Sequence, residues 1–198
     1  MTNSAKAKNI VLASSSPYRK ELLSRILNDF ICESPDIDET PFPDEEPIEH
    51  VARLAEQKAM TVSLNHLDSI IIGSDQICVL EGQILGKPHT ETKAIEQLQA
   101  CSGKTVNFYT SLCVLESGQE AKSIDVVVTE VTFRELQKDE IERYIQREQP
   151  LDCAGSFKAE SLGIALFESL SSKDPTALIG LPLITLAGSL RKLDVKVI

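Results

Sequence analysis

No stretch of the 198-residue chain approaches the roughly 18 consecutive apolar residues of a membrane span, and the leading MTNSAKAKN lacks the apolar core of a signal peptide. The expected setting is the cytoplasm, with no membrane partner. Cation is in deficit: 20 Lys and Arg face 30 Asp and Glu, a net charge of −10. That balance argues against a surface for long nucleic acid or anionic membrane, both of which need a basic face. Any phosphate site must therefore be local and metal-assisted. No CxxC pair occurs among the five cysteines (Cys32, Cys78, Cys101, Cys113, Cys153), which read as reduced core thiols. The three histidines, His50, His66 and His89, lack ligand spacing, so a zinc site is not expected.

What is present is enough apolar residue, 42% of the chain, for a proper core. Strand and helix signals alternate. The run IVLA reads as a buried strand, followed by a helix from Pro17, the strand FICES, an acidic proline-broken loop and a helix from about Pro47 to Leu64. A strand over Ser69–Leu80, a turn at Glu81-Gly82, a short strand running to Gly86 and a helix near Thr90–Ala100 come next. Strands near Thr105–Leu115 and Ile124–Phe133 precede a helix near Gln137–Arg147 and an irregular CAGSFKAESLG segment. The chain closes with a strand at about Ile164–Ser169 and a helix from about Pro182 to Leu193. This is mixed α/β with hairpins. The length of residues 1–198 fits one domain, or one domain with two lobes, and no boundary is clean enough to expect two independent domains.

The segment LASSSPYRKELL, residues 12–23, places small hydroxyls, a proline and two cations directly after the first strand. Ser16 suits the N-cap and Pro17 the first helical position, so a free helix N-terminus with its partial positive charge would stand beside Ser14, Ser15, Arg19 and Lys20. That favours a phosphate, although the same residues would also start an ordinary helix. The turn lacks the glycines of a Walker loop or a dinucleotide fingerprint.

Four features break local rules. Lys58 falls inside the apolar stripe Val51, Leu54, Ala55, Ala59, Val62, where a lysine must snorkel or meet an anion. Asp75 and Gln76 interrupt the apolar strand IIIGSDQICVL; the carboxylate is a ligand, a base or a paired charge, unless Gly73 makes the site a turn. In GKP, Lys87 falls opposite Gln76 when a hairpin is counted back from Leu80 and Gln83, near Asp75 at one mouth. Strict alternation would put Asp75 and Lys87 on opposite faces, so only proximity follows. Finally, the loop with eight acids between Glu33 and Glu49 contains Asp38-Glu39, either plain solvated charge or oxygen ligands for Mg²⁺.

Taken in order, LASSSPYRKELL, DET at 38–40, LAEQKA, IIGSDQ, LGKP and CAGSFKAESLG resemble the Maf family of nucleoside triphosphate pyrophosphatases over nearly the whole chain. The GSDQ form, the tyrosine after SSSP and the glutamate after SFKA resemble the branch assigned to 7-methyl-GTP. The dTTP/UTP branch typically carries arginine, threonine and glutamine there. Lys20 departs from the second arginine of many relatives.

The resemblance implies an inosine-triphosphatase-like α/β fold: a mixed bent sheet flanked by helices, with a cleft between two lobes. It implies hydrolysis between the α and β phosphates of a nucleotide, a divalent cation (Mg²⁺ or Mn²⁺) and a possible homodimer. On this reading Ser14, Ser16, Arg19, Lys58 and Lys87 bind phosphates, Glu39 and Asp75 hold the metal, and Asp75 is the catalytic base. Tyr18, Gln76 and Glu160 would read the base. Two alternatives carry over: a nucleotide-binding regulator of division or stress whose hydrolysis is incidental, and a pyrophosphatase for other nucleotides such as dTTP and UTP.

Overall fold

A buried apolar stripe on each helix and near-continuous apolar strands dictate a sheet covered by helices, and the computed structural model, which describes residues 8–119 and 121–198, has that architecture. The MTNSAKA part of the N-terminus, read above as no signal peptide, lies outside the described residues. Strands β1 (Asn9–Ala13), β2 (Ile31–Glu33), β3 (Ser69–Leu80), β4 (Gln83–Leu85), β5 (Thr105–Glu116), β6 (Lys122–Phe133) and β7 (Phe167–Ser172) form one mixed sheet. Its order is β2-β1-β3-β5-β6-β7, with β4 pairing with the far end of β3. The β1 ladders to β2 and β3 are parallel and the others antiparallel. The helices are α1 (Pro17–Ser24), α2 (Pro47–Ser63), α3 (Glu91–Cys101), α4 (Lys138–Glu148) and α5 (Leu183–Lys192). Among the described residues no helix is long and apolar enough to cross a membrane.

Strand β3 is 12 residues long and serves two cores. Its first half sends Ile70 and Ile72 against Leu22 and Leu23 of α1 and Leu186 and Leu190 of α5. Its second half sends Cys78 and Leu80 against Phe108, Phe133, Leu98 of α3 and Ile141 and Ile145 of α4. Between the two cores stand Ser74, Asp75 and Gln76. Edge-to-face contacts of Phe157 with Phe108, Phe133 and Phe167, at centroid distances of 4.9 to 5.5 Å, pin the CAGSF segment against the second core. Buried Asp174 accepts the Ile184 and Thr185 N–H groups at 2.8 and 3.1 Å and so caps α5 from outside the helix.

Three expectations need correction. The last strand begins at Phe167, not near Ile164: residues Leu162–Leu166 form a tight helical turn, in which Gly163 packs on the Lys158 backbone too closely for any Cβ. The β3–β4 ladder has the expected Leu80–Gln83 pair but stops at Cys78–Leu85, so Lys87 lies past its end and has no strand partner. Cys78, Cys101 and Cys113 are core thiols, whereas Cys32 is exposed and Cys153 half-buried, because β2 is an edge strand and residue 153 belongs to the irregular segment.

Candidate active site

The turn from β1 into α1 is built as its residues require. Pro17 starts the helix, Ser16 is extended and its hydroxyl accepts the Arg19 N–H at 3.4 Å, while Ser14 Oγ accepts the Ser16 N–H at 3.1 Å. Both serine oxygens act as acceptors within the turn and keep their O–H hydrogens to donate outward. Among the described residues the N–H groups of Ser15 and Tyr18 have no protein acceptor. Arg19 is anchored by one edge: its Nε donates to the Gly180 carbonyl at 2.8 Å and one terminal nitrogen to Ser14 Oγ at 3.4 Å. The rest of the guanidinium fork is left available. Burial pulls its pKa down, against the opposing pull of Asp75 and Glu39.

Helix α2 reaches β3 through one close contact. A Cβ on Gly73 would stand 2.2 Å from the Ala55 carbonyl oxygen, so only glycine lets α2 lie directly on the strand at this point. That approach delivers Lys58, 6% exposed, to the middle of β3, where its Nζ donates to Asp75 Oδ1 at 2.6 Å. Asp75 is 7% exposed and lies within a continuous strand, not a turn. Its other oxygen, Oδ2, has no hydrogen bond among the described residues, and no buried side-chain oxygen there is orphaned, so Oδ2 opens to the cleft.

Lys58 Nζ also meets Glu39 Oε1 at 2.7 Å. The acidic loop that carries Glu39 is tied down by Glu45, whose carboxylate accepts from Arg53 at 2.6 and 2.8 Å, from the Phe42 N–H at 3.0 Å and pairs with His50 at 2.9 Å. Arg53 adds a bond to the Thr40 carbonyl at 3.2 Å and lies 4.0 Å over the Phe42 ring. Partial burial works to raise the Glu39 pKa. The Lys58 hydrogen bond and the charges of Lys58, Arg19 and Lys87 outweigh it and hold the group below the usual carboxylate range.

A cleft of about 580 Å³ between the two cores collects these groups. Ser14, Ser16, Tyr18, Arg19, Glu39, Lys58, Asp75, Gln76, Lys87 and Glu160, every site residue expected from the sequence, line it. Lys58 arrives already paired with two carboxylates; Lys87 and Glu160 are exposed, with no ion pair or side-chain hydrogen bond among the described residues. Gln76 points its amide nitrogen at the Thr110 hydroxyl and the Ala177 and Leu178 carbonyls, at 2.9, 2.8 and 3.1 Å, which leaves its oxygen as an acceptor. Tyr18 donates to Asp152 Oδ2 at 3.2 Å.

Among the described residues no cluster of three or more potential metal ligands exists. Two carboxylates sharing one lysine, in a cleft open to phosphate oxygens, nevertheless fit a hard cation that keeps several waters and takes one or two protein oxygens plus substrate. Burial pushes the Cys153 thiol up to about 12, so no thiolate nucleophile competes.

Sequence reasoning missed several participants. Gly180 and the Glu45–Arg53–His50 cluster act through contacts across 161, 8 and 5 residues of chain that no periodicity encodes. Asp152 had a signal: an acid immediately before the irregular segment already singled out.

The chain is 53% identical over 188 residues to a 7-methyl-GTP pyrophosphatase of Pseudomonas putida, covering 95% of this chain and 98% of the relative. It is 54% identical over 178 residues to the protein of that name in Nitrosococcus oceani, with 89% of each covered. The fold resembles the solved structure of a HAM1 protein from Coxiella burnetii, with a TM-score of 0.54 at 18% identity over 94% of this chain and all of that one, as expected of an inosine-triphosphatase-like α/β fold. With the family profile of the Maf-like proteins matching residues 9–193, the chain belongs to the Maf family.

Proposed function

We propose that this chain is a nucleoside triphosphate pyrophosphatase that cleaves 7-methyl-GTP to 7-methyl-GMP and diphosphate, acting as a single cytoplasmic domain. The observation that carries the reading is the Lys58 ammonium held between Asp75 and Glu39 beside the free start of α1. A triphosphate needs cations, donors and a proton acceptor within one cleft, and these residues provide all three. The names of the relatives above support the choice of base.

In this reading Arg19, Lys58, Lys87 and the Ser15 and Tyr18 N–H groups bind the phosphate chain, with the Ser14 and Ser16 hydroxyls donating. A water oxygen attacks the α-phosphorus as Asp75 takes its proton through Oδ2. The bond from α-phosphorus to the bridging oxygen breaks, and diphosphate leaves with its charge met by the cations. Glu39 and Asp75 would hold Mg²⁺ or Mn²⁺, which neutralises phosphate charge and polarises the phosphorus–oxygen bonds. Tyr18, Gln76 and Glu160 would receive the base, the tyrosine by stacking on a cationic ring and the glutamate as acceptor and counter-charge.

Diphosphate release should be measured over a set of ordinary and modified nucleoside triphosphates, with Mg²⁺, with Mn²⁺ and with chelator. Greatest metal-dependent release from 7-methyl-GTP is the expected result. Release no higher than background refutes the enzyme; preference for UTP or dTTP refutes the base assignment.

A further inference from the structure

The wall of the cleft beyond Tyr18 holds a further carboxylate, Asp152. Asp152 directly precedes the segment pinned by Phe157, and its Oδ2 accepts the Tyr18 hydroxyl at 3.2 Å across 134 residues of chain. Cys153 closes the group, with its Sγ 3.9 Å from the Tyr18 oxygen and 3.5 Å from Asp152 Oδ1. Burial raises the Tyr18 pKa, and Cys153 and Asp152 raise it further, so the ring is a neutral phenol that donates to a negative acceptor. No lysine or arginine forms an ion pair with Asp152 among the described residues, so its charge is not cancelled by a partner.

We propose that Asp152 is a specificity-determining residue that anchors the hydroxyl end of the Tyr18 ring and supplies the negative field that favours a positively charged base. The proposal rests on the 7-methyl-GTP reading above. A phenol donating to a carboxylate is richer in ring electron density, which strengthens attraction for a cation stacked on its face. The carboxylate also attracts that cation directly, because a unit charge several Å away in a partly desolvated cleft is only incompletely screened. Guanine without the N7 methyl group offers the same N1 and N2 hydrogens but no charge. Comparing the two nucleotides therefore isolates the electrostatic part.

The test is the ratio of kcat/KM for 7-methyl-GTP to that for GTP, measured for wild type, Asp152→Asn, Asp152→Ala and Asp152→Glu at low and high salt. Asparagine keeps an acceptor for the tyrosine and removes the charge, at an exposed position where folding is not at risk. The expected result is a fall of roughly five- to twentyfold in the ratio for Asp152→Asn, a larger fall for Asp152→Ala and recovery in Asp152→Glu. Wild-type preference should weaken with salt, and that of Asp152→Asn should weaken less, since only the Glu160 charge then remains beside the base. Wild-type preference that survives unchanged in Asp152→Asn overturns the proposal and leaves the 7-methyl-GTP reading standing. A wild type that hydrolyses both nucleotides equally overturns that reading, and the role of Asp152 with it.

Discussion

Lys58 Nζ and Asp75 Oδ1, separated by 2.6 Å and both almost fully buried, join an α-helix to the middle of the central strand at the floor of the cleft. One oxygen of Asp75 is spent on this pair and the other faces the cleft. Water is a poor nucleophile towards a phosphoanhydride, and in the proposed mechanism Asp75 takes its proton. Asp75→Asn keeps the volume and removes that capacity. Turnover should fall by about 10² to 10⁴ while nucleotide binding, measured by titration calorimetry, is largely kept. Near-normal turnover would remove Asp75 from the chemistry.

The same pair sets the cost of removing the lysine. On an apolar stripe alone, methionine would be expected to stabilise α2. With Asp75 beneath it, Lys58→Met leaves Asp75 and Glu39 without the lysine they share, at a cost of about 3–5 kcal/mol, or roughly 6–20 °C in Tm for a chain of this size. Adding Asp75→Asn should recover most of that loss, which thermal melts of the two single variants and the double variant would reveal. A double variant whose losses simply add would show the pair to be uncoupled.

Much of this was legible in the sequence because each part breaks a local rule. A lysine on an apolar stripe and an aspartate in an apolar strand are costly apart and explain one another once the helix lies on the strand. The β3–β4 hairpin follows from its two-residue turn, whereas the pairing of β3 with β5, which lies beyond α3, does not. What sequence could not supply is contact across the fold: the Tyr18–Asp152 bond, the Gly180 carbonyl that orients Arg19 and the Asp174 cap of α5 join segments that no periodicity relates. The acidic loop is the intermediate case. Its charge density reads as solvated, yet the Glu45 side chain is only 7% exposed, because Arg53 and His50 on the next helix face it.

That clamp makes a pH prediction. The Arg53 hydrogen bonds, joined by the Phe42 N–H and His50, outweigh burial and hold the Glu45 carboxyl well below the usual carboxylate range. A depressed folded-state pKa stabilises above the unfolded value, near 4.5, and that contribution drains away as pH falls towards the folded value. Denaturant melts should therefore show wild type more stable than Glu45→Gln at pH 7, with the gap narrowing from about pH 4.5 downward. Glu39 hangs from the same loop, so the variant should also require more Mg²⁺ or Mn²⁺ for half-maximal activity. A gap that widens on acidification would rule out the ionised clamp.

Gly73 tests how α2 and β3 are held together. An added methyl would collide with the Ala55 carbonyl oxygen at 2.2 Å and with Ala59 at 2.9 Å, both rigid parts of a packed helix. Gly73→Ala should cost about 2–3 kcal/mol and move Lys58 away from Asp75. Activity should then drop even at temperatures where circular dichroism reports a folded chain. Full activity in the folded variant would mean that the close approach does not set the geometry of the site.

Exchanging the two residues proposed to read the base gives the sharpest test of specificity. An arginine at position 18 would put a guanidinium where a cationic base is expected to stack, and it would reach the Asp152 carboxylate that now receives the Tyr18 hydroxyl. Attraction for a positive ring would thus be lost twice, through direct repulsion and through neutralisation of Asp152. Glutamine at 160 removes the remaining negative charge, which has no protein partner among the described residues and faces the cleft. Tyr18→Arg combined with Glu160→Gln should lower kcat/KM for 7-methyl-GTP by at least about tenfold more than for UTP, whose base is neutral. Equal losses on both nucleotides would assign these side chains to the phosphates or the fold. A gain on UTP alongside the loss on 7-methyl-GTP would show that charge at these two positions selects between the bases.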